Sequence, residues 1–413
     1  MTRASIVLFF MLTPFGAPVQ AAEPAPNDGT VYKYPNLAQT PPMGWNSWNT
    51  FACNIDEKLV RETADAMVAS GMRDAGYRYV NIDDCWHGER DAQGVIQPDP
   101  KRFPSGIESL ADYVHSKGLK IGIYSDAGSK TCGGHPGSQG HEYQDALQYA
   151  KWKIDYLKYD WCNTEERNPI EAYRTMAQAL LAAGRPMILS ICEWGDNKPW
   201  LWAQPIGHLW RTTGDITNCW DCVIGHGSWS SHGVMQILDK QDGLRKYAGP
   251  GRWNDPDMME VGNMSTVGED RAHFAMWAML AAPLIAGNDI RSMTAATRTI
   301  LINKEVIAVD QDALGIPGFP YKKEDGVEIW FRPLSGNAWA VAVLNRNSDA
   351  RKVSLNWKQE EVGDALHQLN AEFDQHLYKI RDIFAHSDTA STAQPLKITV
   401  PGHDVLMYRL EKQ

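Results

Sequence analysis

Acidic residues close a series of short apolar or aromatic runs: Asp83 and Asp84, Asp126, Asp160, Glu193, Asp215, Asp257 and Asp289. Trp48, Trp86, Trp161 and Trp194 stand at or beside the ends of the same runs. Carboxylates gathered in one place serve two chemistries. They hold a divalent cation through oxygen ligands, or they grip hydroxyl groups while two of them break a glycosidic bond. The basic residues discriminate between these. Lys158 shares the face of Asp160 by the two-residue period of a strand, and Arg211 shares that of Asp215 through Thr213. Cations interleaved with acids suit a hydroxyl-binding site better than a divalent cation site.

A division of labour follows from the surroundings of two of these acids. Asp160, beside Lys158, is expected to stay ionised, because an opposite charge favours the charged form, and so is the better nucleophile. Asp215, facing that anion in a closed site, is expected to hold its proton longer and to protonate the leaving oxygen. Once Asp160 becomes a neutral ester, Asp215 is free to act as base toward water. These roles require carboxyl groups about 5 to 5.5 Å apart and predict net retention of configuration.

The elements that must position these residues repeat from Pro42 onward. Eight extended runs end near Trp48, Asp84, Asp126, Asp160, Glu193, Asp215, Asp257 and Asp289, and helical patterns separate them. These patterns span Asp56 to Ala75, Gly106 to Lys117, Tyr143 to Lys153, Pro169 to Ala183, a short stretch around Trp200, Val234 to Tyr247, Val267 to Leu280, and Thr294 to Asn303. Eight strand–helix alternations over roughly 275 residues predict an α/β fold, a (β/α)8 TIM barrel, whose usual size is about 250 residues and whose active site lies at the carboxyl ends of the strands. An open doubly wound sheet is the alternative, but no Gly-rich phosphate turn follows an early strand. After Pro317 the pattern changes to apolar or alternating segments without long helices, Val327 to Pro333, Ala338 to Asn345, Lys352 to Trp357, Leu396 to Val400 and Val405 to Leu410, which predict a small C-terminal antiparallel β-sandwich domain. The expected division is a signal peptide over 1–22, a leader over 23–36, the barrel over 37–317 and the β domain over 318–413.

Composition narrows the partners. The chain has 413 residues with 50 acidic against 40 basic side chains, so no positive field exists to meet a nucleic acid backbone or an anionic membrane surface. Sixteen Trp against ten Phe supply flat faces for stacking on rings. Arg3, the apolar run Ile6 to Phe15 and the small residues around Ala21 and Ala22 read as a removable secretion signal, so a secreted or periplasmic protein is expected.

The motifs resemble glycoside hydrolase family 27, chiefly secreted α-galactosidases. The matching stretches are Pro42 to Trp48, Tyr79 to Trp86, Gly122 to Asp126, Leu157 to Asp160, Cys192 to Trp194, Trp210 to Asp215 and Trp253 to Met258, in family order. The resemblance implies that Asp160 is the nucleophile and Asp215 the acid/base. It implies further that Trp48, Asp83, Asp84, Tyr124, Cys132, Lys158, Cys162, Glu193, Arg211 and Asp257 line a galactose pocket, with the Asp83 and Asp84 pair on the axial 4-hydroxyl and the 6-hydroxyl. A retaining mechanism without metal or cofactor, acting on α-galactosides, is implied as well. Glu193 followed by Trp194 replaces the small residues of relatives that take N-acetylgalactosaminides, so a 2-hydroxyl is the expected occupant. A side activity on β-L-arabinopyranosides stays open.

Of the seven cysteines, Cys53 and Cys85 follow strands one and two, and Cys132 and Cys162 follow strands three and four. The family pairs them so. Cys192 is expected as a buried free thiol, and Cys219 with Cys222 as a local disulfide or, in second place, a metal pair with His226 near. Plainer roles are expected for Asp126 and Asp289 as caps or ion-pair partners, for Asp255 in a turn before Pro256, for Trp45 and Trp253 in the core, and for His115 and His208 in packing or at the surface.

Overall fold

The computed structural model describes residues 30–413. The expected signal peptide and the first half of the leader lie outside the described residues. Eight parallel strands form the barrel: β1 (Met43–Asn46), β2 (Tyr79–Asn81), β3 (Lys120–Asp126), β4 (Tyr156–Asp160), β5 (Ile188–Ile191), β6 (Leu209–Arg211), β7 (Trp253–Asp255) and β8 (Leu284–Ala286). Each pairs with its sequence neighbour from β1 to β7, and β8 pairs back onto β1. Closure occurs just beyond β7, where Met259 bridges to Ala286; its N–H donates to Ile285 O at 2.7 Å and its carbonyl accepts from Gly287 N at 2.9 Å. Parallel strands buried on both faces need continuous apolar sequence, and Ile121, Ile123, Leu157, Leu189, Ile191 and Trp210 supply it.

Helices return the chain between strands, and their starts are written in polar caps. Asp56 accepts from Leu59 N, Asn168 from Glu171 N with Pro169 in the first turn, and Thr266 from Glu269 N. Helix 57–69 turns Leu59, Val60, Ala64 and Met67 onto the barrel. Helix Val267–Leu280 is buried almost all round, because the barrel covers one side and the C-terminal sheet the other. Trp330, Ala340, Ala342, Leu344 and Met407 of that sheet share one core with Phe274, Ala275 and Ala278 of the helix.

The C-terminal domain is an antiparallel sandwich. Its six-stranded sheet runs Phe319–Glu324, Val327–Leu334, Ala338–Asn345, Asp404–Lys412, Tyr378–Asp382, Ser387–Ser391 in spatial order. The pairs Arg351–Leu355 with Leu396–Val400, and Val362–Asp364 with Leu369–Ala371, complete it. Phe331, Trp339, Trp357, Phe373 and Tyr378 fill the space between. No helix among the described residues is long and apolar enough to cross a membrane.

Candidate active site

A cavity of about 550 Å³ opens at the carboxyl ends of the barrel strands. Ten of the twelve expected site residues line it: Trp48, Asp83, Asp84, Tyr124, Cys132, Lys158, Asp160, Arg211, Asp215 and Asp257. Apart from Cys132, which stands in the loop after β3, each reaches it from a strand end or the first residues beyond, since a strand points alternate side chains inward and its last inward residue faces the mouth.

Two layers of charge organise the floor. Asp83 accepts from Lys158 Nζ at 2.8 Å and from Asn46 Nδ2 at 2.7 Å. Asp84 accepts from Cys85 N at 2.6 Å and Gly133 N at 2.7 Å. Both acids are buried, so every remaining lone pair aimed at the cavity needs a donor from outside the protein. Burial works against the Lys158 charge, but the anions of Asp83 and Asp160 outweigh it and hold the ammonium protonated.

Asp160 sits beside this floor, its Oδ2 accepting from Tyr124 OH and its Oδ1 from Trp161 N, each at 3.0 Å. Burial pushes its carboxyl up to about 6; Lys158 opposes the rise, and Asp215 and Asp83 add to it. Lys158 lowers the Asp160 carboxyl as its charge requires, but does not cancel the larger effect of burial. The ammonium hydrogen-bonds Asp83, and desolvation is the larger influence on Asp160.

Arg211 is the second organiser. Its Nη2 reaches Asp257 at 2.8 Å, Asp215 at 3.1 Å and Thr213 O at 3.0 Å. Asp257 stands in the left-handed region at φ 91°, strain of the kind stored at functional sites. It is fixed there by Ile216 N and Met258 N on its two oxygens. Burial pushes its carboxyl up to about 7, with Arg211 opposing. The Asp215 side chain is 39% exposed, so the site is open above it.

Glu193 and Cys162 do not line the cavity. Glu193 is fully buried behind Trp194, which does line it, and one Glu193 oxygen accepts from Asn197 N at 2.6 Å and Asn197 Nδ2 at 2.8 Å while the other has no partner. Burial pushes that carboxyl up to about 8. Cys162 is joined to Cys132, and its N–H donates to Asp126 at 2.9 Å. Trp86 and Trp161, expected at the rim, pack inward against Trp152 and Tyr173. Sequence reading missed Asn49, Met258 and Glu260, and also Ile224, His226 and Trp229 of the hairpin that pairs Val223–Gly225 with Ser230–His232, all in the cavity wall. The Trp229 signal was an aromatic residue in a Gly- and Ser-rich loop.

The remaining expectations sort by contact. Disulfides join Cys53 to Cys85 and Cys219 to Cys222, and Cys192 is a buried free thiol. Asp126 accepts from Gly128 N and Cys162 N, tying the loops after β3 and β4. Asp289 pairs with Arg291, and Asp255 accepts from Asp257 N in the turn around Pro256. Trp45 and Trp253 are fully buried. His115 pairs with Asp155, and His208 is held by Leu189 N and Tyr34 O.

The family comparisons agree with this geometry. Residues 40–312 match the family described as Alpha galactosidase A, and residues 324–410 match the Alpha galactosidase C-terminal beta sandwich domain. The chain is 60% identical over 378 residues to an Alpha-galactosidase A of Cellvibrio japonicus, covering 92% of this chain and 93% of that one. It is 49% identical over 381 residues to an alpha-galactosidase of Coffea arabica, covering 91% and 95%. Among solved structures, an alpha-galactosidase of Saccharomyces cerevisiae with raffinose superposes at a TM-score of 0.84 and 30% identity, covering 93% of this chain and 100% of that one. The protein thus belongs to the α-galactosidase family, glycoside hydrolase family 27.

Proposed function

We propose that the protein is a retaining α-galactosidase that removes terminal α-D-galactosyl residues from oligosaccharides, polysaccharides or glycoconjugates. One observation carries the reading: Asp160 and Asp215 face the same cavity, whose floor of buried Asp83 and Asp84 with the part-buried Lys158 is shaped for hydroxyl groups. Asp160 attacks the anomeric carbon as Asp215 gives its proton to the glycosidic oxygen. The aglycone leaves, and a galactosyl ester remains on Asp160. Asp215, now an anion, takes a proton from water, which opens the ester and releases galactose with its configuration kept. Arg211, bridging Asp215 and Asp257, holds the acid/base in place. Asp83 and Asp84 accept hydrogen bonds from the 4- and 6-hydroxyls. Residues 1–22 act as the signal that exports the chain to the periplasm or medium.

The direct test measures hydrolysis of the 4-nitrophenyl α-galactoside, α-N-acetylgalactosaminide and β-L-arabinopyranoside, with a chelator present. A clear preference for the first and near-complete loss in Asp160→Asn are expected, and NMR of the first-released sugar should show the α-anomer. Preference for either other glycoside, or loss in the chelator, would overturn the reading.

A further inference from the structure

Between Asp215 and the next helix the chain makes an exposed hairpin, Val223–Gly225 paired with Ser230–His232. Val223, Ile224 and Trp229 are 56%, 43% and 51% exposed, so the hairpin hides little apolar surface and its aromatic ring does little for folding. Large apolar groups left open beside a cavity mark contact surfaces. Ile224, His226 and Trp229 belong to the cavity wall that also holds the two catalytic acids.

Several contacts brace the hairpin. The His226 ring stacks on Trp229 with centroids 4.1 Å apart, and its Nε2 lies 2.9 Å from Ser231 Oγ. The Cys219–Cys222 disulfide closes the base. The returning strand is bonded to the acid/base itself, His232 N donating to Asp215 O at 2.8 Å, with Thr217 N donating to His232 O at 2.9 Å. A general acid lies on the leaving-group side of the bond it protonates. The hairpin anchored to Asp215 therefore stands where the aglycone leaves.

We propose that Trp229, backed by His226, is the platform of an aglycone subsite on which the sugar ring attached to galactose stacks. This inference rests on the α-galactosidase reading. Binding energy from that remote ring is used at the reacting bond, so its loss lowers kcat/KM for glycosides only.

The test compares raffinose, whose aglycone is a sugar, with α-galactosyl fluoride, whose leaving group reaches no platform. In Trp229→Ala the ratio of kcat/KM for raffinose to that for the fluoride should fall about tenfold, and Trp229→Phe should restore most of it. An unchanged ratio in Trp229→Ala, with both compounds still cleaved, overturns the subsite and leaves the α-galactosidase reading standing. Equal losses on both compounds assign the ring a structural role and overturn the subsite as well. Wild-type protein that cleaves neither compound overturns the functional reading and the subsite together.

Discussion

At the residue scale, burial sets the proton affinity of Asp160, the proposed nucleophile. A carboxyl raised to about 6 is an anion at neutral pH and loses its charge as pH falls through that value, so kcat/KM should show an acid limb near pH 6. Tyr124 OH donates to the Asp160 anion and so favours the ionised form. Tyr124→Phe removes that donor at nearly constant volume. The acid limb should then move up by roughly 0.5 to 1 pH unit, and a pH profile with α-galactosyl fluoride measures it; a limb left in place or moved down would refute the account. Strand periodicity made the shared face of Lys158 and Asp160 legible in the sequence. It did not reveal that the ammonium bonds to Asp83 on a different strand, because one chain's spacing carries no information about which barrel neighbour a long side chain reaches. For the same reason Glu193 read as a wall residue, while the turn after β5 folds it behind Trp194 at φ 59°.

At the element scale, the eight strands were legible because buried parallel strands need apolar runs and their polar ends interrupt them. What escaped was built from polar or exposed residues. The hairpin at 223–232 carries no alternation toward a core, and strands Tyr378–Asp382 and Ser387–Ser391 meet across largely charged and hydroxyl side chains. Loops after strands are held by cross-links rather than by core, and the Cys132–Cys162 bridge is the one that touches the site. It closes a sequence separation of 30 residues and ties Cys132 of the cavity wall to the strand end carrying Asp160. Removing it as Cys132→Ala with Cys162→Ala should cost about 3 to 4 kcal/mol on the chain-entropy account. Denaturant unfolding measures that loss. Activity should fall further than the folded fraction does, because Asp126 loses the fixed position of Cys162 N. A double variant as stable and active as wild type would show that the loops are held by other contacts.

Across the whole molecule, barrel and sandwich share a core through helix Val267–Leu280, and the charges trapped in that core and in the site shape stability. Arg332 is fully buried between them, donating to the carbonyls of Ala278 and Asp310, and burial lowers it to about 10 and raises Asp310 to about 8. Burial also raises Glu193 to about 8 and Asp126 to about 9. Each of these three carboxyls binds its proton more tightly folded than unfolded. Their contribution is complete below about pH 4, where both states are protonated, and is lost as pH rises through the folded values. Lys33, lowered to about 7 by burial, opposes them above pH 7, since its unfolded form then binds the extra proton. The buried His208 and His273, lowered to about 4 and about 3, are neutral in both states above their ordinary range. Between pH 6.5 and 8 these three carboxyls, with Asp257 at about 7 beside them, act against one lysine, and the folded state holds the excess of protons. Stability should therefore fall by roughly 1 to 3 kcal/mol per pH unit across that window. Calorimetric Tm at pH 6.5 should exceed that at pH 8, and Asp310→Asn, neutral in both states, should flatten the slope. A Tm that rises over the same window would mean that these buried carboxyls are ionised in the native protein and that their charges are solvated by means other than Arg332 and the backbone amides named above.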